Sequence, residues 1–174
     1  LPPFVAAVQK GVGSVMPSFS SWNGIKMHAQ KDLIEGVLKT KLQFDGFVIS
    51  DWQAIDQIPA SGYAQKVAIS VNAGVDMLMV PYDYQGAAKA LIDNVKSGAI
   101  LMARIDDAVT RILTKKYQLG LFEQAFPDTT NIKQIGSSEH RMIARKDVAE
   151  SLVLLKNKNN LLQKKKNAKI LVTG

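Results

Sequence analysis

The sequence predicts an α/β fold built on parallel strands, and three observations carry that prediction. Apolar runs at residues 12–19, 46–50 and 75–80 are too short for helices, and around Phe47-Val48-Ile49 the apolarity is unbroken, as in a strand covered on both faces. The stretches between the runs repeat apolar residues at helical spacing. Two strand–helix–strand crossovers in succession require parallel strands with right-handed connections. Prolines and glycines also fall at the ends of the runs: Pro17 and Pro81 close two of them and Gly46 opens the third.

Each element has a local reason. Phe4, Val5 and Val8, with alanines between them, make a first short helix that closes at Gly11 or Gly13, where glycine takes the left-handed cap. The first strand follows over residues 12–19. Residues 18–24 are a polar loop at its carboxyl end, containing Trp22 and the turn pair Asn23-Gly24. Leu33, Ile34, Val37 and Leu38 recur at helical spacing, so residues 30–40 form a helix over the sheet. The second strand ends on Asp51. An irregular segment through Pro59 and Gly62 leads to a helix over 63–72, closed by Asn72-Ala73-Gly74. The third strand, 75–80, is apolar except for Asp76; the loop 82–86 lies at its carboxyl end and a helix over 87–96 covers it. Ile105, Ala108, Val109, Ile112 and Leu113 stripe one more helix, which stops at Gly120.

The pattern then dissolves. Residues 122–137 are rich in Pro, Asp, Thr, Asn and Gly and read as a linker, longer than an ordinary connection, between residues 1–121 and residues 138–174. Ser138 can cap a helix in which Ala144, Val148, Leu152 and Leu155 recur. Residues 157–167 are polar and basic, and residues 168–174 read as a new strand running into a glycine. A dinucleotide fingerprint starts this way, but a single glycine carries little of that signal.

Composition narrows the function classes. The 174 residues are 47% hydrophobic and 21% charged, ordinary for a globular chain with a real core. The net charge is +7, yet the cations are spread over helix faces and the one dense run, Lys164-Lys165-Lys166, falls in a loop, which favours solvated surface over nucleic-acid binding. Without cysteine there are no disulfides or thiolate metal sites. No apolar run reaches the ~18 residues of a membrane-spanning helix. Leu1-Pro2-Pro3-Phe4 lacks the features of a signal peptide. That carries no weight for localisation, because the chain is expected to begin in mid-domain.

The candidate chemistry sits at Ser50-Asp51-Trp52. A strand of this polarity delivers Asp51 to its carboxyl end, the end where α/β folds bind ligands. On spacing alone Asp51 serves equally as a helix N-cap. Trp52 favours the first alternative, because a large ring beside a strand-end acid suits stacking on a sugar face; its bland alternative is a core tryptophan. Trp22 lies in a tight loop beside the turn pair Asn23-Gly24. His28 is either a proton shuttle or a satisfied histidine at a helix start. Asp76 reads as a hydrogen-bonded structural acid, and Asp106 and Asp107, in the first turns of a helix, as partners of its dipole.

Gly46-Phe47-Val48-Ile49-Ser50-Asp51-Trp52 resembles the nucleophile motif of family 3 glycoside hydrolases, in the β-glucosidase and exo-β-glucanase branch. Ser20-Ser21-Trp22-Asn23-Gly24-Ile25-Lys26-Met27-His28, Ala73-Gly74-Val75-Asp76-Met77-Leu78-Met79-Val80-Pro81 and Ser151-Leu152-Val153-Leu154-Leu155-Lys156-Asn157 agree with it in the same order. The resemblance implies the C-terminal part of a (β/α)8 TIM-like barrel over residues 1–121, a linker over 122–137, and the first elements of an α/β-sandwich domain over 138–174. A complete barrel takes ~250 residues, so several units lie outside the chain.

The resemblance further implies a retaining hydrolase of terminal non-reducing β-D-glucosyl residues, with Asp51 as nucleophile and Trp52, with Trp22, binding substrate. It implies no cofactor and no metal. The partners expected are a β-glucoside or β-glucan oligosaccharide and the remaining parts of the same enzyme, which supply the acid/base glutamate and the sugar clamps, with neither nucleic acid nor membrane involved. Secretion or a periplasmic location is common in the family. Glu123, Glu139 and Glu150 lie outside any family motif for the acid. Phe19 stands where many members carry a tyrosine, so a hydroxyl contact to Asp51 is missing there. The fragment alone is therefore expected to be inactive; the alternative is a non-catalytic module that binds sugar or packs against a partner.

Overall fold

In the computed structural model, which describes residues 1–124, 126–162, 167–171 and 173, the chain divides into two units, Leu1–Ala125 and Phe126–Gly174. The first unit is organised on β4 (Phe47–Val48), which lies between two parallel neighbours. On one side it pairs with β1 (Ser14–Val15), Ser14 opposite Phe47 and Val15 opposite Val48. On the other side Ile49 bridges Met77 in parallel. The α/β expectation holds, and the strands are shorter than the apolar runs that predict them.

The third segment departs from a regular ladder for a chemical reason. Two side chains replace backbone partners. The Val48 amide donates to Asp76 Oδ2 at 2.7 Å instead of to a main-chain carbonyl, while the Asp76 and Met77 amides both reach the Val48 carbonyl. Further along, the Ser50 amide donates to the Met77 carbonyl, and the Met79 amide donates to Ser50 Oγ at 2.7 Å. Every one of these buried polar groups is satisfied, but only one backbone bridge remains to be recognised as a strand.

Helices cover one face. α1 (Pro2–Gln9) starts with proline in its first turn, where no amide partner is needed, and Gly11 follows it at φ +75°. The helix expected over 30–40 is present at Asp32–Lys41 but is wound as a π-helix, ending with the Leu42 amide on the Val37 carbonyl. In such winding residues four and five apart share a face, so Lys39 is buried together with Ile34 and Leu38. Ile34, Leu38, Phe44, Val48 and Val75 form one apolar cluster. A second cluster, with Ile55, Ile58, Val67, Val71 and Ile100 at its centre, lies between α2 (Tyr63–Asn72) and α3 (Tyr84–Lys96), and Leu78 packs on both. The other face of β4 is less covered than the unbroken apolar run predicts. Val48 and Ser50 are fully buried while Phe47 and Ile49 are half-buried, because three parallel segments do not close on themselves.

α4 (Met102–Gln118) clamps the amino end of the sheet. Arg111 donates to the Phe44 and Gly46 carbonyls at 2.9 and 3.0 Å, and Lys115 meets Asp45 at 3.0 Å. Asp107 lies in the second turn of α4, bonded to Arg104 at 2.5 Å and Arg111 at 2.9 Å, so it serves an ion-pair network and not the helix dipole. That network, with Lys39 and Asp76, also shows that the cations are not all spread over solvated faces.

In the second unit α5 (Ser138–Ser151) is capped by Ser137, whose Oγ accepts the His140 amide at 3.3 Å, one residue before the expected cap. The helix ends before Leu155, and Val148, Leu152 and Leu155 are exposed. Residues 168–171 and 173 form no strand; Val172 and Gly174, and the lysine run 164–166, lie outside the described residues. No described helix is long and apolar enough to cross a membrane.

Candidate active site

Asp51 stands one residue beyond the last ladder amide of the middle strand, at the carboxyl end of the sheet, opposite the end that α4 clamps. Its Oδ1 accepts the Trp52 amide at 2.6 Å, and its own amide donates to His28 Nε2 at 2.9 Å. The helix-cap alternative is not what the structure contains, since the following turn Ala54–Gln57 has no side-chain cap.

Trp52 is 53% exposed and therefore not a core tryptophan. Its ring meets Tyr82 edge-on, centroids 6.2 Å apart and planes at 90°, a favourable aromatic geometry. Gln53, next in the chain, takes a left-handed backbone at φ 51°, unusual for a side-chain-bearing residue, and leads into the turn Ala54–Gln57. Beside the pair lies a pocket of about 140 Å³ lined by Ile55, Asp56, Tyr63, Met79, Tyr82 and Asp83. Burial, with Asp56 and Asp83 adding to it, pushes the Tyr63 hydroxyl above its ordinary pKa, so it stays a hydrogen-bond donor. The expected loop 82–86 is mostly helix: α3 begins at Tyr84, capped by Asp83, whose Oδ1 accepts the Gly86 amide at 2.9 Å.

The segment 18–24 is not a plain loop. β2 (Ser21–Trp22) and β3 (Ile25–Lys26) pair antiparallel around Asn23 at φ 49° and Gly24 at φ 80°, a two-residue hairpin of the kind Asn-Gly favours. Trp22 is 53% exposed on this hairpin, and among the described residues its ring pairs with neither Trp52 nor Asp51. The link is indirect. Gln30 Nε2 donates to the Trp22 carbonyl at 2.8 Å, and Gln30 follows the short turn Met27–Ala29 that carries His28. His28 is 1% exposed; burial depresses its pKa, opposed by the Asp51 charge, and its Nε2 acts as an acceptor, so it is a neutral, satisfied histidine. Ser50 and Gln30 are contributors that sequence patterning did not single out, and Tyr82 enters it only as part of the loop 82–86. Only the Ser50-Asp51-Trp52 adjacency hinted at the first. Phe19 is exposed and lies under Lys26, 5.8 Å from the ammonium. Among the described residues no group of three or more His, Cys, Asp or Glu is placed to hold a metal ion.

A parallel α/β sheet with an acid and an exposed aromatic pair at its carboxyl end defines the class: an α/β protein of the kind that binds ligands at that end of its strands. The sequence profile of the glycosyl hydrolase family 3 N-terminal domain matches residues 1–115. The chain belongs to that family. It is 39% identical over 175 residues to a β-xylosidase of Formosa agariphila, covering 93% of this chain and 24% of that protein. With the lysosomal β-glucosidase of Dictyostelium discoideum it shares 35% identity over 100% of this chain and 22% of the relative. Among solved structures, the exo-1,3/1,4-β-glucanase of a Pseudoalteromonas species superposes with a TM-score of 0.73 at 42% identity, over 88% of this chain and 20% of that one. The β-glucosidase of Listeria innocua superposes at 0.74 and 34% identity, over 93% and 23%. The chain thus spans between a fifth and a quarter of the length of these relatives.

Proposed function

We propose that these residues belong to a retaining β-glycosidase that releases terminal non-reducing β-D-glucosyl residues, with Asp51 as nucleophile. The single observation that carries this is Asp51 itself, an acid at the carboxyl end of the middle parallel strand, its carboxylate oriented by the Trp52 amide and flanked by an exposed tryptophan. Ionised Asp51 attacks the anomeric carbon as a general acid protonates the departing oxygen. The C–O bond breaks and a covalent glycosyl ester forms. Water, deprotonated by the same acid/base group, then displaces the carboxylate and regenerates it. Trp52 offers its ring face to the sugar, and Trp22 borders the rim from the hairpin. The acid/base glutamate and the clamps on the sugar hydroxyls come from other parts of the same protein, and the substrate is a β-glucoside or β-glucan oligosaccharide.

In this reading residues 1–121 are the C-terminal part of the barrel, 122–137 the linker, and 138–174 the start of a second, sandwich domain. The profile match supports placing residues 1–115 in the family's N-terminal domain. A β-xyloside is the second substrate class to assay, favoured by the name of the Formosa relative. The test compares the full-length protein and its Asp51→Asn variant on aryl β-glucosides and aryl β-xylosides. Asp51→Asn keeps the shape and removes the nucleophile, so turnover should fall at least about a thousandfold with substrate affinity nearly unchanged. A variant retaining about a tenth of the parent rate would remove the assignment. Absence of turnover in the full-length parent would favour a non-catalytic module.

A further inference from the structure

We propose that His28 is the positioning residue for Asp51, holding the nucleophile through its main-chain amide; this rests on the retaining reading above. The sheet leaves that amide without a partner. The last ladder bond on this side is from the Ser50 amide to the Met77 carbonyl, and the chain turns away immediately afterwards through left-handed Gln53. His28, 23 residues earlier in sequence, takes the orphaned Asp51 amide on Nε2 at 2.9 Å. The carboxylate is tied to this backbone, because Oδ1 is bonded to the next amide, that of Trp52, at 2.6 Å. Fixing the Asp51 N–H therefore fixes the direction of the attacking oxygen.

The anchor itself is rigid. His28 is 1% exposed, and its turn is tied at both ends: the Met27 amide donates to the Ser20 carbonyl, and Gln30, 5% exposed, donates from its side chain to the Trp22 carbonyl. One short turn thus sets the hairpin that carries Trp22 and the acid that follows the middle strand in one frame. As acceptor, Nε2 is unprotonated and the ring proton sits on Nδ1. Burial favours this neutral form, although the Asp51 charge opposes it. His28 touches no reacting atom. It acts through Asp51, and since about 1 Å of misplacement at a reacting group costs about a hundredfold in rate, the contact matters for turnover more than for affinity.

The test uses the full-length protein with His28→Gln, whose amide oxygen can replace Nε2 as acceptor, and His28→Met, which fills the space without an acceptor. The readouts are kcat and KM on an aryl β-glucoside, the rate of covalent labelling by an activated 2-deoxy-2-fluoro-β-glucoside, and the melting temperature. His28→Met should slow labelling and kcat about 10- to 100-fold with KM within about threefold. His28→Gln should recover most of that loss. A folded His28→Met that labels at the parent rate overturns the inference, as does a folded His28→Gln as slow as His28→Met. If His28→Met does not fold, His28→Gln decides alone, near-parent labelling supporting the inference and slow labelling overturning it. A parent enzyme that turns substrate over but is never labelled overturns the retaining reading itself, and this inference with it.

Discussion

Asp76→Ala should be among the most damaging single changes in the first unit, and the structure sets its size. The Asp76 side chain is fully buried and bonded to Lys39 Nζ at 2.8 Å, to the Val48 amide at 2.7 Å and to Arg104. Arg104 keeps Asp107 and the Val71 and Val75 carbonyls when Asp76 is removed. Lys39 does not fare as well. Its side chain is 2% exposed and its remaining acids, Glu35 and Asp107, are both 3.8 Å away. Stranding one member of a buried pair costs about 3–5 kcal/mol. An independent ceiling agrees: a lysine that ordinarily titrates at 10.5 can escape by staying neutral, and at pH 7 that costs about 5 kcal/mol, about 1.4 kcal/mol per pH unit. Against a net stability of about 5–15 kcal/mol the loss is large, and at a slope of about 1–3 kcal/mol/M it lowers the urea midpoint of the full-length protein by more than about 1 M. Burial already depresses the Lys39 pKa in the parent, with Asp76 opposing it. In the variant a folded-state pKa below the unfolded one means that stability is present above pH 10.5 and lost as pH falls, so the deficit must shrink between pH 7 and 10. Asp76→Ala with Lys39→Met, which removes both charges, should be more stable than Asp76→Ala alone. A deficit independent of pH, or a double variant worse than the single one, would refute the argument.

Three further outcomes follow from named contacts. Gly46→Ala should destabilise by at least about 1–3 kcal/mol in thermal melts, because the new methyl would lie 2.5 Å from the Phe44 ring and against the Gly13 carbonyl; a neutral result means β1 and β4 are not this close. Gly24→Ala should cost about 1 kcal/mol, since the hairpin needs φ +80° there, while Gly24→Asn should cost less. With the His28 pKa held below 6.5 by burial, the unfolded chain binds the extra proton first, so stability is full above about pH 6.5 and falls below it. His28→Gln should flatten that slope in melts between pH 5 and 7, and an unchanged slope would assign it to another group.

The local chemistry of the chain was legible without coordinates wherever one residue type answers one backbone demand. The apolar run to Ile49 specifies a buried strand and its polarity places Asp51 on the carboxyl rim; Asn23-Gly24 marks a tight turn, and Gly11 and Gly120 close helices at positive φ. Motif order was likewise enough to name the family. What the tertiary structure alone decided concerns partners distant in sequence. Nothing in a single apolar strand says that the Val48 amide will bond a carboxylate 28 residues away, or that this exchange will erase a regular third strand. Helical spacing at Leu33, Ile34, Val37 and Leu38 cannot distinguish α from π winding, and only the π form turns Lys39 inward to meet Asp76. Nor does a histidine at a helix start declare which group it will accept from before the sheet brings an orphaned amide to it. Periodicity records which face a residue prefers. Hydrogen-bond partners are chosen by proximity, and proximity exists only after the chain has closed on itself.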